Sequence, residues 1–218
     1  MLGTPFLLLL KYDILQVFFF LLPLSILTSL INLIIIRLSN KNLNVSSYKG
    51  LTKFFVVCIP SIIIGLFILK YFQELINFKL LVSIVTIFSV LLVLLKDKIK
   101  LRINFFRISI LSIVGVIHGL TNAGGALMSL ALSSNSEKNN ARYSITFFYL
   151  ALETFQYLTT IIIFKNSYFL PQNIYLILVL ICGVVLGNVF IKFLSENNYK
   201  LVVNALALTS SFILLINI

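Results

Sequence analysis

The chain has 218 residues, of which 60% are apolar and only 11% charged, and it carries a formal charge of +11. Soluble domains hold about 25% charged residues, so a mean hydropathy of +1.11 excludes a soluble globular domain and points to an integral membrane protein. The basic residues lie between apolar runs, where they mark loops and meet anionic headgroups; with no aromatic–basic interleaving, no nucleic-acid partner is expected.

A helical span needs about 20 apolar residues. Residues 1–10 are an apolar stub too short to span, and they lack the basic start and small-residue cleavage site of a signal peptide. The first full span is expected from Ile14 to Ile36, followed by a polar loop carrying Arg37, Lys41, Lys49 and Lys53. Spans two and three are expected at Leu51–Lys70 and Phe78–Leu95, joined by the short connector Phe72–Asn77. A basic segment follows, with Lys96, Lys98, Lys100, Arg102 and Arg107 opposed only by Asp97. The fourth segment, Asn104–Leu132, is long and interrupted by Gly-Leu-Thr-Asn-Ala-Gly-Gly at 119–125. After a polar loop, Ser133–Arg142, come spans at Tyr143–Phe164, Ile174–Leu194 and Tyr199–Ile216. The fold class is therefore an all-α polytopic bundle of about seven transmembrane helices.

Basic residues on alternating sides set orientation. If the fourth segment crosses once, the 37–53 loop, the 96–107 loop and Lys165 share one side with ten basic residues against seven. That side is then the cytoplasm, with the C-terminus inside and the N-terminus outside. If the fourth segment is instead a re-entrant hairpin, everything after it inverts.

An internal repeat organises the chain. Gly65–Val82 reads GLFILKYFQELINFKLLV and Gly187–Val203 reads GNVFIKFLSENNYKLVV. Gly65 pairs with Gly187, Lys70 with Lys192, Glu74 with Glu196 and Lys79 with Lys200. The same offset sets Gly3 on Gly125. We expect two tandem copies of a four-helix unit, at residues 1–103 and 104–218, running parallel. The first is expected to be incomplete, lacking its opening helix. Repeats of this kind are common in transporters, with the site where the halves meet.

The glycine cluster is the first chemical candidate. Gly115 and Gly119 fit a G-x-x-x-G packing pattern, whereas Gly124 and Gly125 read as a helix break. Unwound backbone at membrane depth must be buried in protein or face water. A half-helix starting near Ala126 would aim its amides and dipole at the break, favouring an anion. Thr121, Asn122, Gly124 and Gly125 are therefore the candidate substrate contacts, with Ser144 next. On the fifth span Thr146, Tyr149, Glu153, Gln156, Tyr157 and Thr160 share one face. Glu153 falls near mid-membrane, where a carboxyl is costly and turns inward. It is the candidate coupling or gating residue, and it must be neutral while an anion is bound. His118 is a second, lower-ranked candidate for that role. Ser25, Thr28, Ser29 and Asn32 form a smaller inward face on the first span, and Arg142 is either an anion lure or an interfacial anchor.

Enzyme chemistry finds no foothold, since HExxH, GxSxG and P-loop patterns are all missing. Cys58 and Cys182 sit in apolar spans and read as small hydrophobes. No metal site and no cofactor are expected.

The segment GVIHGLTNAGGALMSLALSSNSEKNNARYSITFFYLALETFQYL, starting at Gly115, resembles the second repeat of the sulfite exporter TauE/SafE family of membrane permeases. Gly115, Gly119, Gly124 and Gly125 match its G-x-x-x-G-x-x-x-x-G-G helix, and Ala141-Arg142-Tyr143-Ser144 matches the start of the next one. Gly3-Thr4-Pro5 is similar to the end of the first repeat's motif. The resemblance spans nearly the whole chain. It implies a multi-pass permease of the cell membrane that moves a small anion such as sulfite, an organosulfonate or a related organic acid; the oligomeric state stays open, a homo-oligomer being one form. The alternative is a non-transporting membrane scaffold or assembly subunit, which would co-purify with a partner and show no flux.

Overall fold

The computed structural model describes residues 3–39, 48–99, 108–125, 128, 138–165, 174–193 and 196–217. These residues form helices and turns throughout. The helices are α1 (Gly3–Leu9), α2 (Ile14–Ser39), α3 (Tyr48–Lys53), a π-helical turn (Phe54–Cys58), α4 (Ile59–Phe72), α5 (Phe78–Ile99), α6 (Ile108–Thr121), α7 (Lys138–Phe164), α8 (Ile174–Phe193) and α9 (Glu196–Ile216). Stretches of Ile14–Leu38, Leu51–Phe72 and Arg142–Phe164 are long and apolar enough to cross a bilayer, and the apolar helices at 78–92, 108–121, 177–190 and 204–216 are shorter. The basic segment 100–107 and residues 40–47 and 133–137 of the two polar loops lie outside the described residues.

Local chemistry sets several boundaries. Asp13 and Gln16 cap α2 reciprocally: the Gln16 N–H donates to Asp13 Oδ1 at 2.8 Å and the Asp13 N–H to Gln16 Oε1 at 3.1 Å. Asn77 caps α5 by accepting from the Leu80 N–H at 3.1 Å. Lys11 and Lys165 end α1 and α7 in the left-handed region, with φ of 66° and 51°. There their charge also meets the negative end of the helix. The π turn directly precedes Pro60. Proline has no N–H and crowds the carbonyl four residues back, and a widened turn relieves that clash.

The most intimate packing joins α4 to α6. A β-carbon at Gly115 would lie 2.5 Å from the Cys58 carbonyl oxygen and 2.6 Å from Ser61 Cβ, and one at Gly119 would strike the Ile62 carbonyl. Gly65 faces back against Val116 and Gly119. Backbone thus meets backbone, as small residues allow between membrane helices. Around this crossing lie Phe54, Ile62, Leu66, Leu111, Val114, Phe148 and Leu152, all buried.

Contacts at the helix ends fix direction. Cys58 neighbours Gly115 and Gly65 neighbours Gly119, so α4 and α6 run parallel. Phe54 packs on Phe148, Phe55 on Phe155, and Lys70 Nζ donates to the Ile163 carbonyl at 3.1 Å, so α4 and α7 are parallel too. Consecutive elements α6 and α7 can share a direction only if the chain between them doubles back. It does so at once: a β-carbon at Gly124 would sit 2.6 Å from the Val114 carbonyl oxygen and 2.7 Å from His118 Cβ, residues far down α6. The fourth segment turns back on itself at 122–125, and α7 starts on the side where α6 starts.

This overturns the single crossing and the parallel copies expected from sequence. Lys79 Nζ, at the start of α5, donates to the Asn217 carbonyl at the end of α9, 2.9 Å away. Asn32, late in α2, meets Asn188, which meets Arg142 at the start of α7. The repeat-related pairs α2/α7 and α5/α9 are therefore antiparallel. Hydropathy reads the fourth segment as one long run because both arms of the hairpin are apolar.

Candidate functional site

The tip of the hairpin is the candidate site. α6 ends where Asn122 adopts a left-handed conformation, φ 56°. Asparagine reaches this region more readily than other residues with a β-carbon. The Asn122 N–H still donates to the His118 carbonyl at 2.8 Å, and the Ala123 N–H turns to Thr121 Oγ1 at 3.1 Å. Thr121 in turn donates to the Ile117 carbonyl at 2.7 Å. The structure thus spends the Thr121 hydroxyl on closing the helix end. Helix resumes at Gly125, and the Met128 N–H donates to the Gly124 carbonyl at 3.2 Å. The rest of the half-helix expected from Ala126 lies outside the described residues. At the tip, among the described residues, the left-handed position is Asn122, while the two glycines provide closeness: Gly124 lies on α6, and Gly125 lies under the Tyr149 ring.

α7 lines the other side of the tip. Gln156 Nε2 donates to the His118 carbonyl at 3.0 Å, so it binds the last turn of α6. That carbonyl accepts twice, which leaves the hairpin tip fastened to α7. The Tyr149 ring stands edge-on to His118 with centroids 5.8 Å apart. Glu153, fully buried, lies between these two residues along α7 and takes a hydrogen bond from Ser29 Oγ of α2 at 3.4 Å. Ser25 and Tyr149 supply further hydroxyls to the same carboxyl. The two stripes read from the sequence, on the first and fifth spans, thus meet at Glu153.

The tip is polar, sheltered and incompletely satisfied. His118 Nδ1 and Nε2, Asn122 Oδ1, Glu153 Oε1, Gln156 Oε1 and the Tyr157 hydroxyl are buried and have no hydrogen-bond partner within the described residues. Each such atom costs about 1–3 kcal/mol unless something fills the need. Ser144 is buried on α7 nearer its start, and the contacts just given tie the tip to Tyr149 and Gln156. Gly115 and Gly119 lie on the α4 crossing. Arg142 Nη2 donates to Asn188 Oδ1 at 3.3 Å, and Asn188 Nδ2 donates to Asn32 Oδ1 at 2.9 Å, linking α7, α8 and α2. Asn188 and Gly65 escaped the sequence reading of the site. Their one signal was position: both fall in or beside the repeated stretch, one as a lone amide in an apolar helix and one as the copy of Gly187.

A metal-binding group of three or more His, Cys, Asp or Glu side chains is not found among the described residues. The family model described as sulfite exporter TauE/SafE matches residues 1–214. Comparison with curated proteins returns no match, and comparison with solved structures returns none.

Proposed function

Since the chain belongs to the sulfite exporter TauE/SafE family of membrane transporters, we propose that it carries sulfite, an organosulfonate or a related small organic acid across the cytoplasmic membrane, binding it at the Asn122–Gly125 tip. One observation supports this reading: where the hairpin tip meets α7, His118, Asn122 and Gln156 keep buried polar atoms that have no partner among the described residues. An oxyanion needs donors and a dry, shaped pocket. Among the described residues the His118 ring and the Tyr157 hydroxyl are donors without a protein partner, while the unpartnered Asn122 Oδ1 is an acceptor and would meet a protonated oxygen of the solute.

Glu153 supplies the coupling. An ionised carboxyl this close would repel the solute, so the anion binds with Glu153 protonated. Ser25, Ser29 and Tyr149 can hydrogen-bond either form of the carboxyl, as acceptors or donors. The solute and a proton then travel together, so the transported unit carries one negative charge fewer. Antiparallel repeats give such a site two equivalent ways to open, one toward each side, which is the usual basis of alternating access.

The test is flux in proteoliposomes. Sulfite or sulfonate uptake should appear with the native chain and fall by about tenfold or more with Gly125→Leu, whose side chain would displace the Tyr149 ring. Native-level flux in that variant removes the site. A native chain that folds and co-purifies with a partner but moves no anion favours the scaffold reading.

A further inference from the structure

The repeat makes α8 the copy of α4, yet the two have different surroundings. The offset that sets Gly65 on Gly187 also sets Ser61 on Gly183. On α4 this small-residue face is closed by the backbone of α6. On α8 a β-carbon at Gly183 or Gly187 would meet nothing within 4 Å among the described residues. Tyr175, Leu178, Val179, Val185, Leu186 and Phe190 are exposed on the same helix, which packs chiefly on α2. Lipid alone covers apolar side chains well. It gives no reason to keep two glycines four residues apart, where each weakens the helix by about 1 kcal/mol relative to alanine.

We propose that the Gly183–Gly187 face of α8 is a docking surface for a further glycine-rich membrane helix built like α6, with two small residues four apart. The occupant is specified by the interface already present in the other copy. There α6 seats Gly115 by Cys58 and Ser61, and Gly119 by Ile62 and Gly65. The matching seats on α8 are Leu180, Gly183, Val184 and Gly187. Because the repeats are antiparallel, the occupant enters from the side opposite to α6. α1 marks where it would lead. Gly3 is the copy of Gly125, so α1 stands where the returning arm of a second hairpin belongs, packed on α9, α2 and α5. This inference does not depend on the transported solute.

The experiment supplies the helix and asks whether α8 receives it. A second copy of residues 108–124 is fused ahead of Gly3 in the full chain, and thermal unfolding in detergent is compared with the native chain. The fusion should raise the midpoint by on the order of 5 °C. Gly187→Ile should abolish that gain and leave the native chain unchanged, because even a β-carbon there has no described atom within 4 Å. Gly115→Ile with Gly119→Ile in the added copy should abolish it as well. A fusion that gains nothing, or a gain that survives Gly187→Ile, overturns the proposal in favour of lipid. A native chain that is already a dimer, and that Gly187→Ile turns into a monomer, overturns it in favour of a second copy.

Discussion

Asn122 does two things at one position, and substitutions can separate them. Its left-handed backbone ends α6, and its side-chain carbonyl stands buried without a partner. Asn122→Gly keeps the backbone and deletes the amide. We expect stability within about 1 kcal/mol of native by denaturant titration, while anion flux drops by about tenfold or more. Asn122→Ala deletes the amide and adds strain, so it should lose a further 1–2 kcal/mol or so. Equal flux in native and Asn122→Gly proteins would leave the residue a purely structural cap. Glu153 invites a different substitution. Glu153→Gln mimics the protonated carboxyl in shape and charge. It should bind anion across the whole pH range tested, and counterflow exchange should persist while uptake driven by a pH gradient is lost. Gradient-driven uptake that survives the change would show that the proton moves elsewhere. The shared inward face was legible beforehand, because Tyr149, Glu153 and Gln156 recur at helical spacing and a mid-membrane carboxyl must turn inward. The role of Thr121 was not, since a hydroxyl bonding its own helix and one facing a solute look alike in sequence.

Among elements, the α4–α6 crossing is where the bundle tolerates least. A leucine at Gly119 must push the Ile62 carbonyl aside, and one at Gly65 must push Val116 and Gly119. Backbone cannot swing away as a side chain does, so overpacking here should exceed the usual 1–3 kcal/mol or so. Gly119→Leu should therefore fail to fold or lose at least about 3 kcal/mol by denaturant titration, whereas Gly183→Leu in α8 should change stability by less than about 0.5 kcal/mol. Comparable losses at both sites would mean that α8 is as tightly packed as α4. Apart from the fourth segment, the span boundaries were legible from hydropathy, and the helices match them within about five residues. The π turn at Phe54–Cys58 was hidden inside an apolar run. Pro60 was its visible cause, but a proline can bend, break or widen a helix, and only packing against α6 and α7 selects among these.

The path of the whole chain turns on the hairpin, and charge supplies an independent check on it. With the fourth segment doubling back, connectivity puts Lys11, Lys70, Lys79 and Lys165 at one end of the bundle and the other thirteen of the 17 basic residues at the opposite end. A single crossing divides them ten against seven. The positive-inside rule is far better obeyed by the hairpin, which was the very feature that hydropathy concealed. By that rule the thirteen-residue end is expected in the cytoplasm, with the Lys11 end of α1 and the end of α9 facing outward. Single cysteines in a chain freed of Cys58 and Cys182 decide the matter. Lys165→Cys should react with a membrane-impermeant maleimide on intact cells, and Lys138→Cys only after permeabilisation. A once-crossing segment predicts the reverse for both. The reversed pattern would also remove the antiparallel repeats from the transport scheme. The two halves would then share one orientation, and opening toward opposite faces would no longer follow from exchanging their conformations.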